Sequence, residues 1–439
     1  MLDFIRYTNL IKNKSSYALI LISLCISVKS QTNERSPYSA FGLGDNFNSS
    51  FISYQAMGST GTALQLENNF TFQNPASYSS LKFTSLQMGA IADIGHYQNS
   101  NQSAKFSAAQ FSYFALGLPV WEKNNGAIAF GASPASTIGY QMKVPDTADI
   151  ISTTKYLGDG GLSKLVLGGS FEPIKNLAIG VNFNYLFGNI SKTRELSFPF
   201  QTNIFGFTRS ENINYSGWQT NLGVQYSIRQ KNVQHCFGFT YNPKGTLSGK
   251  GQILTRNNKY SYQIGDAQTL DTISLKNLSS LEEKIPESLS IGYAIGDGEK
   301  WSFSADYSIS FWEKISNEYK NEQGISAGFF LVPKLRPGLG TNYLQRVKYS
   351  FGVFKKQSFI FLNQKQIESY GINIGLGLPM VKRIKRYAKE DLTIISRLHF
   401  SFSYNERGTT ENNLIRENFF QFGLGANLGD KWFIKRKYQ

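Results

Sequence analysis

Leu177-Ala178-Ile179-Gly180-Val181-Asn182-Phe183-Asn184-Tyr185-Leu186-Phe187-Gly188 alternates with period two. Leu177, Ile179, Val181, Phe183, Tyr185 and Phe187 fall on one face, and Ala178, Gly180, Asn182, Asn184, Leu186 and Gly188 on the other. Successive side chains of a β-strand point to opposite sides, so one face of this stretch wants hydrocarbon while the other, Leu186 aside, is small or polar. Its length is that of a strand crossing a bilayer at a tilt, about ten residues.

The pattern recurs. Trp218, Leu222, Val224, Tyr226 and Ile228 oppose Gln219, Asn221, Gly223, Gln225 and Ser227. Trp301, Phe303, Ala305, Tyr307, Ile309 and Phe311 oppose Ser302, Ser304, Asp306, Ser308 and Ser310, with aromatic residues at both ends as an interfacial girdle requires. A soluble β-sandwich also alternates, but over strands of about five or six residues and with many more turns. The spacing predicts strands at 86–97, 105–118, 126–142, 162–172, 177–191, 213–229, 233–247, 287–296, 301–312, 328–341, 345–355, 369–380, 391–406 and 417–428. The expected fold is therefore all-β: a transmembrane antiparallel barrel of about fourteen strands.

Connection lengths agree with that count, since such barrels have short turns on the periplasmic side and long loops outside. Glu172 to Asn176, Gln230 to Asn232, Asp297 to Lys300 and the residues around Asn342 are short, against expected outer loops at 143–161, 192–212 and 248–286. The exceptions are a short outer loop near 98–104 and a basic turn from Val381 to Glu390. Both termini are expected in the periplasm, with residues 429–439 as a basic tail.

Composition fits this reading. Arg6, Lys12 and Lys14 precede an apolar run from Tyr17 to Val28, and Val28-Lys29-Ser30 offers a cleavage site before Gln31, so 1–30 reads as an export signal. Leu24 before Cys25 does not suit a lipoprotein site. With Cys25 gone only Cys236 remains, leaving no internal disulfide to form in an oxidising compartment. The full chain carries +15, and residues 31–439 hold 41 basic against 29 acidic residues, spread through turns and the tail. That dispersal argues against nucleic acid, which needs a clustered basic face interleaved with aromatics. Mean hydropathy is negative and no stretch of residues 31–439 approaches the eighteen apolar residues of a spanning helix. Aromatics at 14 %, with 40 Gly and 12 Pro, suit strands and turns.

Residues 31–85 break the alternation, with Gly42, Gly44, Gly58 and Gly61 among Ser and Asn and with scattered Phe51, Tyr54, Phe70 and Phe72. A disordered arm has few aromatics, so this segment is expected to fold back as a plug in the lumen.

Ala56-Met57-Gly58, Gly61-Thr62-Ala63 and Phe72-Gln73-Asn74-Pro75-Ala76 resemble the glycine-alanine stretch and Asn-Pro-Ala motif of the long-chain fatty acid transporter (FadL) family. Ile285-Pro286-Glu287 through Gly292, followed by Trp301, Asp306-Tyr307 and Trp312, is similar to that family's Leu-Pro-Glu hairpin. Gly160-Gly161-Leu162, opening the strand before Leu177, is a third likeness. The resemblance implies a fourteen-stranded barrel with an N-terminal hatch and a kinked third strand that opens a lateral route into the membrane. It implies as partners the bilayer and hydrophobic small molecules, fatty acids in particular. The residues for such an opening are Gly131, Ser133, Pro134 and Ser136; Pro134 cannot donate to a ladder and its small neighbours pack weakly. Ser36-Pro37-Tyr38-Ser39-Ala40-Phe41-Gly42-Leu43-Gly44-Asp45, Gly375-Leu376-Gly377-Leu378-Pro379 and the tail from Lys431 to Lys437 depart from the transporter pattern and look like a Bacteroidota branch. That branch includes barrels serving as subunits of larger outer-membrane machines for secretion or assembly, so other outer-membrane proteins are the alternative partners.

No catalytic constellation, metal site or cofactor motif is evident: HExxH, GxSxG, P-loop and CxxC are all missing. By alternation His96 sits at the outer rim and His235 on the lipid side, while His399 points inward with Arg397, Ser401 and Ser403. Asp306, Arg397 and His399 read as lumen polarity, and the turn with Lys382, Arg383, Lys385, Arg386 and Lys389 as a solvated periplasmic rim. An outer-membrane channel for hydrophobic compounds is the expected function.

Overall fold

The computed structural model describes residues 36–46, 50–66, 68–100, 102–121, 124–146, 151–201, 203–261, 265–334, 342–384 and 392–431, the side chains of 381–395 excepted. The expected export signal, the end of the tail and most of the basic turn at 382–389 lie outside the described residues.

Fourteen antiparallel strands close on themselves: β1 Thr84–Gln98, β2 Ser103–Trp121, β3 Gly126–Asp146, β4 Ser152–Ile174, β5 Leu177–Ser197, β6 Gly206–Gln230, β7 Val233–Asn242 continuing as Gly245–Ser261, β8 Asp266–Ile285 continuing as Ser288–Gly296, β9 Trp301–Ser310, β10 Glu322–Leu331, β11 Lys348–Leu362, β12 Lys365–Ile384, β13 Leu392–Gly408 and β14 Arg416–Asp430. Each pairs with the next, and β14 returns to β1 through Phe422 opposite Ala92. A barrel is one of two ways to cross hydrocarbon with every backbone N–H and C=O bonded, because closure removes the unpaired edges.

The alternation in β5 is realised as read: Phe183 and Phe187 face outward, while Ala178, Asn182, Asn184 and Leu186 are buried inside. Leu165, Leu167, Leu222, Val224, Ile372, Ile374, Leu376, Phe420, Phe422 and Leu424 extend the outward apolar belt, which supplies the favourable term for residence in lipid.

The expected outer loops are the main correction. The stretches read as 143–161, 192–212 and 248–286 are mostly strand: β3 runs to Asp146, β4 begins at Ser152, β5 runs to Ser197, β6 begins at Gly206, and β7 and β8 reach Ser261 and Asp266. Beyond the membrane both faces of a sheet meet water, so these extensions pair without apolar alternation. The tenth strand is Glu322–Leu331 rather than 328–341, since Pro333 has no N–H to continue it and 335–341 lie outside the described residues. The strand expected at 301–312 ends at Ser310, and Trp312 turns inward, 6 % exposed and stacked on Phe359 at 4.2 Å.

Ser36 and Lys431, the first and last described residues, lie at opposite ends of β14: Ser36 Oγ donates to Glu417 near its start, and Lys431 follows Asp430 at its close.

Candidate functional site

Residues 50–66 and 68–81 pack against inward-facing residues of the strands and carry their own small core. Phe51, Tyr54, Phe70, Phe72 and Tyr78 are buried; Phe51 stacks on Tyr113 of β2 at 4.1 Å and meets Phe72 edge-on at 5.1 Å. Each aromatic so buried removes about 150–250 Å² from water. That is enough to hold a segment whose α-helix, among the described residues, is the single turn Ile52–Gln55.

Polar anchors fix its register. Asp306 on β9 accepts the Gly61 and Thr62 amides at 2.8 and 2.9 Å, so its inward carboxylate serves as an acceptor for a turn that would otherwise orphan two donors. Asn74 caps the 3-10 helix Pro75–Ser80: its Oδ1 accepts from the Ala76 amide at 3.0 Å, its Nδ2 donates to Thr62 O at 2.6 Å, and Pro75 takes the first helical position, where no N–H is needed. Tyr78 donates to Asn182 of β5 at 2.8 Å.

Glycines on the inner wall make room for this backbone. A Cβ on Gly180 of β5 would lie 2.5 Å from the Pro75 carbonyl carbon and 2.7 Å from the Ala76 nitrogen, whereas one on Gly169 of β4 meets nothing nearer than 3.6 Å. Gly180→Ala is therefore expected to destabilise by about 1–3 kcal/mol and to make the bonds next to Lys82 cleavable by trypsin in the folded barrel. Gly169→Ala should leave the digestion pattern unchanged, and equal patterns for the two variants would contradict this packing.

The wall itself has a seam. β2 and β3 pair from Trp121 opposite Gly126 to Phe114 opposite Ala132; among the described residues no strand pairing continues beyond Ala132 on that side except a two-residue strand from the N-terminal segment, Asp45 opposite Thr137 and Asn46 opposite Ser136. A bulge lies on each flank, at Ser112 in β2, where Tyr113 pairs with Gly89 but Phe111 with Ala90, and at Ala135 in β3, where Pro134 pairs with Ser163 but Ser136 with Leu162. Bulges twist a strand away from its neighbour. The structure thus brings Gly131, Ser133, Pro134 and Ser136 to the seam: Gly131 is still paired with Ala115, Ser133 is buried with its hydroxyl unpartnered, and the Ser136 hydroxyl donates to Leu43 O at 2.7 Å.

Residues 36–46 run along the free side of β3. The Ser36 amide donates to Gly139 O at 3.1 Å, the Gly139 amide to Ser39 Oγ at 3.1 Å, and Lys192 of β5 to Ala40 O at 3.0 Å. Gly44 sits at φ +97°, where a Cβ would also strike Ile138 at 2.5 Å, so glycine is required there. Arg407 of β13 grips Asp45 with both terminal nitrogens at 2.8 Å and lies 4.0 Å from Glu417, which accepts the Ser36 hydroxyl at 2.5 Å. The buried Glu417 carboxylate and the half-buried Asp45 carboxylate can face each other because this guanidinium lies between them. Tyr38, its pKa pushed up to about 12 chiefly by burial, remains a donor and bonds Ile415 O at 2.6 Å.

Ala40 and Leu43 cover an apolar wall of Ile138, Tyr140 and Ile190, and Leu43 also packs with Leu162, Leu186 and Leu247. The lumen beside it holds a cavity of about 510 Å³ lined by Asp45, Gln55, Asp93, Asp306, Glu322 and Arg407 among others. Its lining mixes these polar side chains with Ile91, Phe106, Phe354 and Phe419, and a further apolar surface lies at the seam under residues 40–43.

His96 is exposed, His235 shares a hydrogen bond of 2.7 Å with the Tyr293 hydroxyl, and His399 is buried inside. Among the described residues no group of three or more His, Cys, Asp or Glu side chains could hold a metal ion. Arg407, Glu417, Asp45 and Lys192 were not legible as site residues, although Arg407 shares its inward register with Arg397 and His399.

Solved structures of similar shape are the CymD monoaromatic hydrocarbon channel (14 % identity, TM-score 0.56, covering 89 % of this chain and 99 % of that one), a Pseudomonas aeruginosa FadL homologue (13 %, 0.57, 88 % and 99 %) and the P. putida toluene transporter TodX (14 %, 0.53, 86 % and 97 %). At such identities the likeness is one of fold: a FadL-type fourteen-stranded β-barrel. No functionally curated protein matches the chain. The family model described as BamG, a name different from that of the structural relatives, matches residues 10–439, and the chain belongs to the BamG family.

Proposed function

We propose that this protein is an outer-membrane channel for hydrophobic compounds, long-chain fatty acids among them, with a lateral exit at the seam between β2 and β3 that residues 36–46 close and residues 50–81 plug from below. The observation that carries this reading is the interrupted β2–β3 pairing, with the free side of β3 occupied by the protein's own chain. Ala40 and Leu43 sit where a hydrophobic ligand would lie, against Ile138, Tyr140 and Ile190; their departure would uncover an apolar trough directly beside the seam. The hydrocarbon channels of like fold support the same class of cargo. Cells without a fatty-acid channel of their own are expected to take up labelled oleate several-fold faster when they express this chain, and equal uptake with and without it contradicts the proposal.

One observation favours a second reading, a barrel subunit of a larger outer-membrane assembly for secretion or protein assembly. The outer part of β8, Asp266–Ile285, pairs with β7 on one side and with no described strand on the other, since β9 ends at Ser310 opposite Ser288. It is roughly 60 Å of strand at the usual rise, with Leu270, Ile273 and Leu275 more than half exposed. Free edges invite pairing with another chain. Recovery of a partner protein in fixed ratio under mild detergent, together with no gain in oleate uptake, is the result that selects this reading.

A further inference from the structure

At the periplasmic end of the lumen, three basic side chains converge on adjacent strands. Lys348 opens β11, Arg397 and His399 lie two residues apart on β13, and Gly377 of β12 pairs with both Lys348 and His399. Gly377 is what lets them meet: a Cβ there would stand 3.1 Å from Lys348 Cβ and 3.2 Å from His399 Nδ1. Lys348 and His399 are 5 % and 6 % exposed. The Lys348 ammonium lies 3.8 Å over the Phe330 ring, and His399 Nε2 and Arg397 Nε are buried without a partner. Together they line a cavity of about 80 Å³, closed on the lumen side by Leu66, Asn68 and Asn69.

Among the described residues none of the three basic groups has a carboxylate within 4.0 Å. Among the described residues the one acidic side chain lining the cavity is Glu299, exposed in the turn between β8 and β9, whose charge acts on Arg397 from a distance without pairing with it. Taking cations out of water without a close counter-charge is costly. The cavity has room for about two or three waters, which can bond Asn68 Oδ1 and Asn69 Oδ1 but cannot neutralise the cations. A planar guanidinium, an ammonium and an imidazole aimed at one small space form a donor set suited to a tetrahedral oxyanion.

We propose that this cavity is a binding site for a phosphate group, which is either free phosphate or the headgroup of an inner-leaflet phospholipid reaching the periplasmic mouth. Titration calorimetry on the full-length protein in neutral detergent, at constant ionic strength, tests it with two probes, sodium phosphate and dihexanoyl-phosphatidylglycerol. Saturable binding of at least one, with a Kd below about 1 mM, is expected. Lys348→Met and Arg397→Gln should each weaken it about tenfold or more, and His399→Asn less, while all three keep the heat-dependent gel mobility of a folded barrel. Tighter binding of the phospholipid assigns the headgroup, and tighter binding of phosphate assigns the free anion. If neither probe binds saturably, or if every folded variant binds as the parent does, the cavity holds water only and the proposal is overturned.

Discussion

Replacing Arg407 with methionine is expected to release residues 36–46 from the barrel wall while leaving the fourteen strands intact. The guanidinium holds Asp45 through two bonds of 2.8 Å and lies 4.0 Å from Glu417, whose side chain is 2 % exposed. Methionine keeps the length and apolar stem but leaves two carboxylates facing each other without a cation. Breaking a buried pair in this way costs about 3–5 kcal/mol, less here because Asp45 is partly open to water. The strain has an outlet: the strand at Asp45–Asn46 is two residues long and can detach without unpairing β3 from β4. With Cys236 replaced by serine and Cys25 expected to leave with the export signal, a cysteine at Ala40 reports the release. Maleimide should modify Ala40→Cys about tenfold to a hundredfold faster in the Arg407→Met background. Lys320→Met, which removes a pair with Glu313 at 3.6 Å and half-exposed on both sides, should change nothing. Equal labelling rates for Arg407→Met and the parent would show that the ion pair does not hold the segment.

The barrel was legible because its physics is local. Alternation such as that of Leu177–Gly188 needs only a lipid face and a lumen face to become a strand, and all fourteen predicted strands overlap observed ones. What the alternation could not show is where the sheet continues past the membrane. At Asp266–Ile285 water lies on both faces and the pattern that marks a strand vanishes. Asn74-Pro75-Ala76 could be read as a turn from its chemistry, and it is a helix cap; its partners Gly180 and Gly223, more than a hundred residues away, were invisible because only the fold brings them there. Pro134 pointed to the interrupted part of the wall, since a missing N–H is a property of one residue. The latch of Asp45, Arg407 and Glu417 joins residues over 360 positions apart, and nothing in their local sequence announces it.

The second large effect concerns the seam. Asn46 and Ser136 face each other in an antiparallel pair, a relation whose Cα spacing, about 4.5–5.5 Å, falls within the range a disulfide spans. Joining them would fix the segment to the free side of β3 and keep Ala40 and Leu43 over the apolar wall. Cys236, 3 % exposed, is replaced by serine so that no other thiol competes. The most direct measurement of the proposed lateral route is therefore labelled-oleate uptake by cells expressing the Asn46→Cys, Ser136→Cys chain, before and after reduction. If hydrophobic cargo leaves through this seam, the oxidised chain should carry oleate about tenfold or more slowly than the parent, and reductant should restore the rate; uptake that is the same with the bridge closed and open would contradict it.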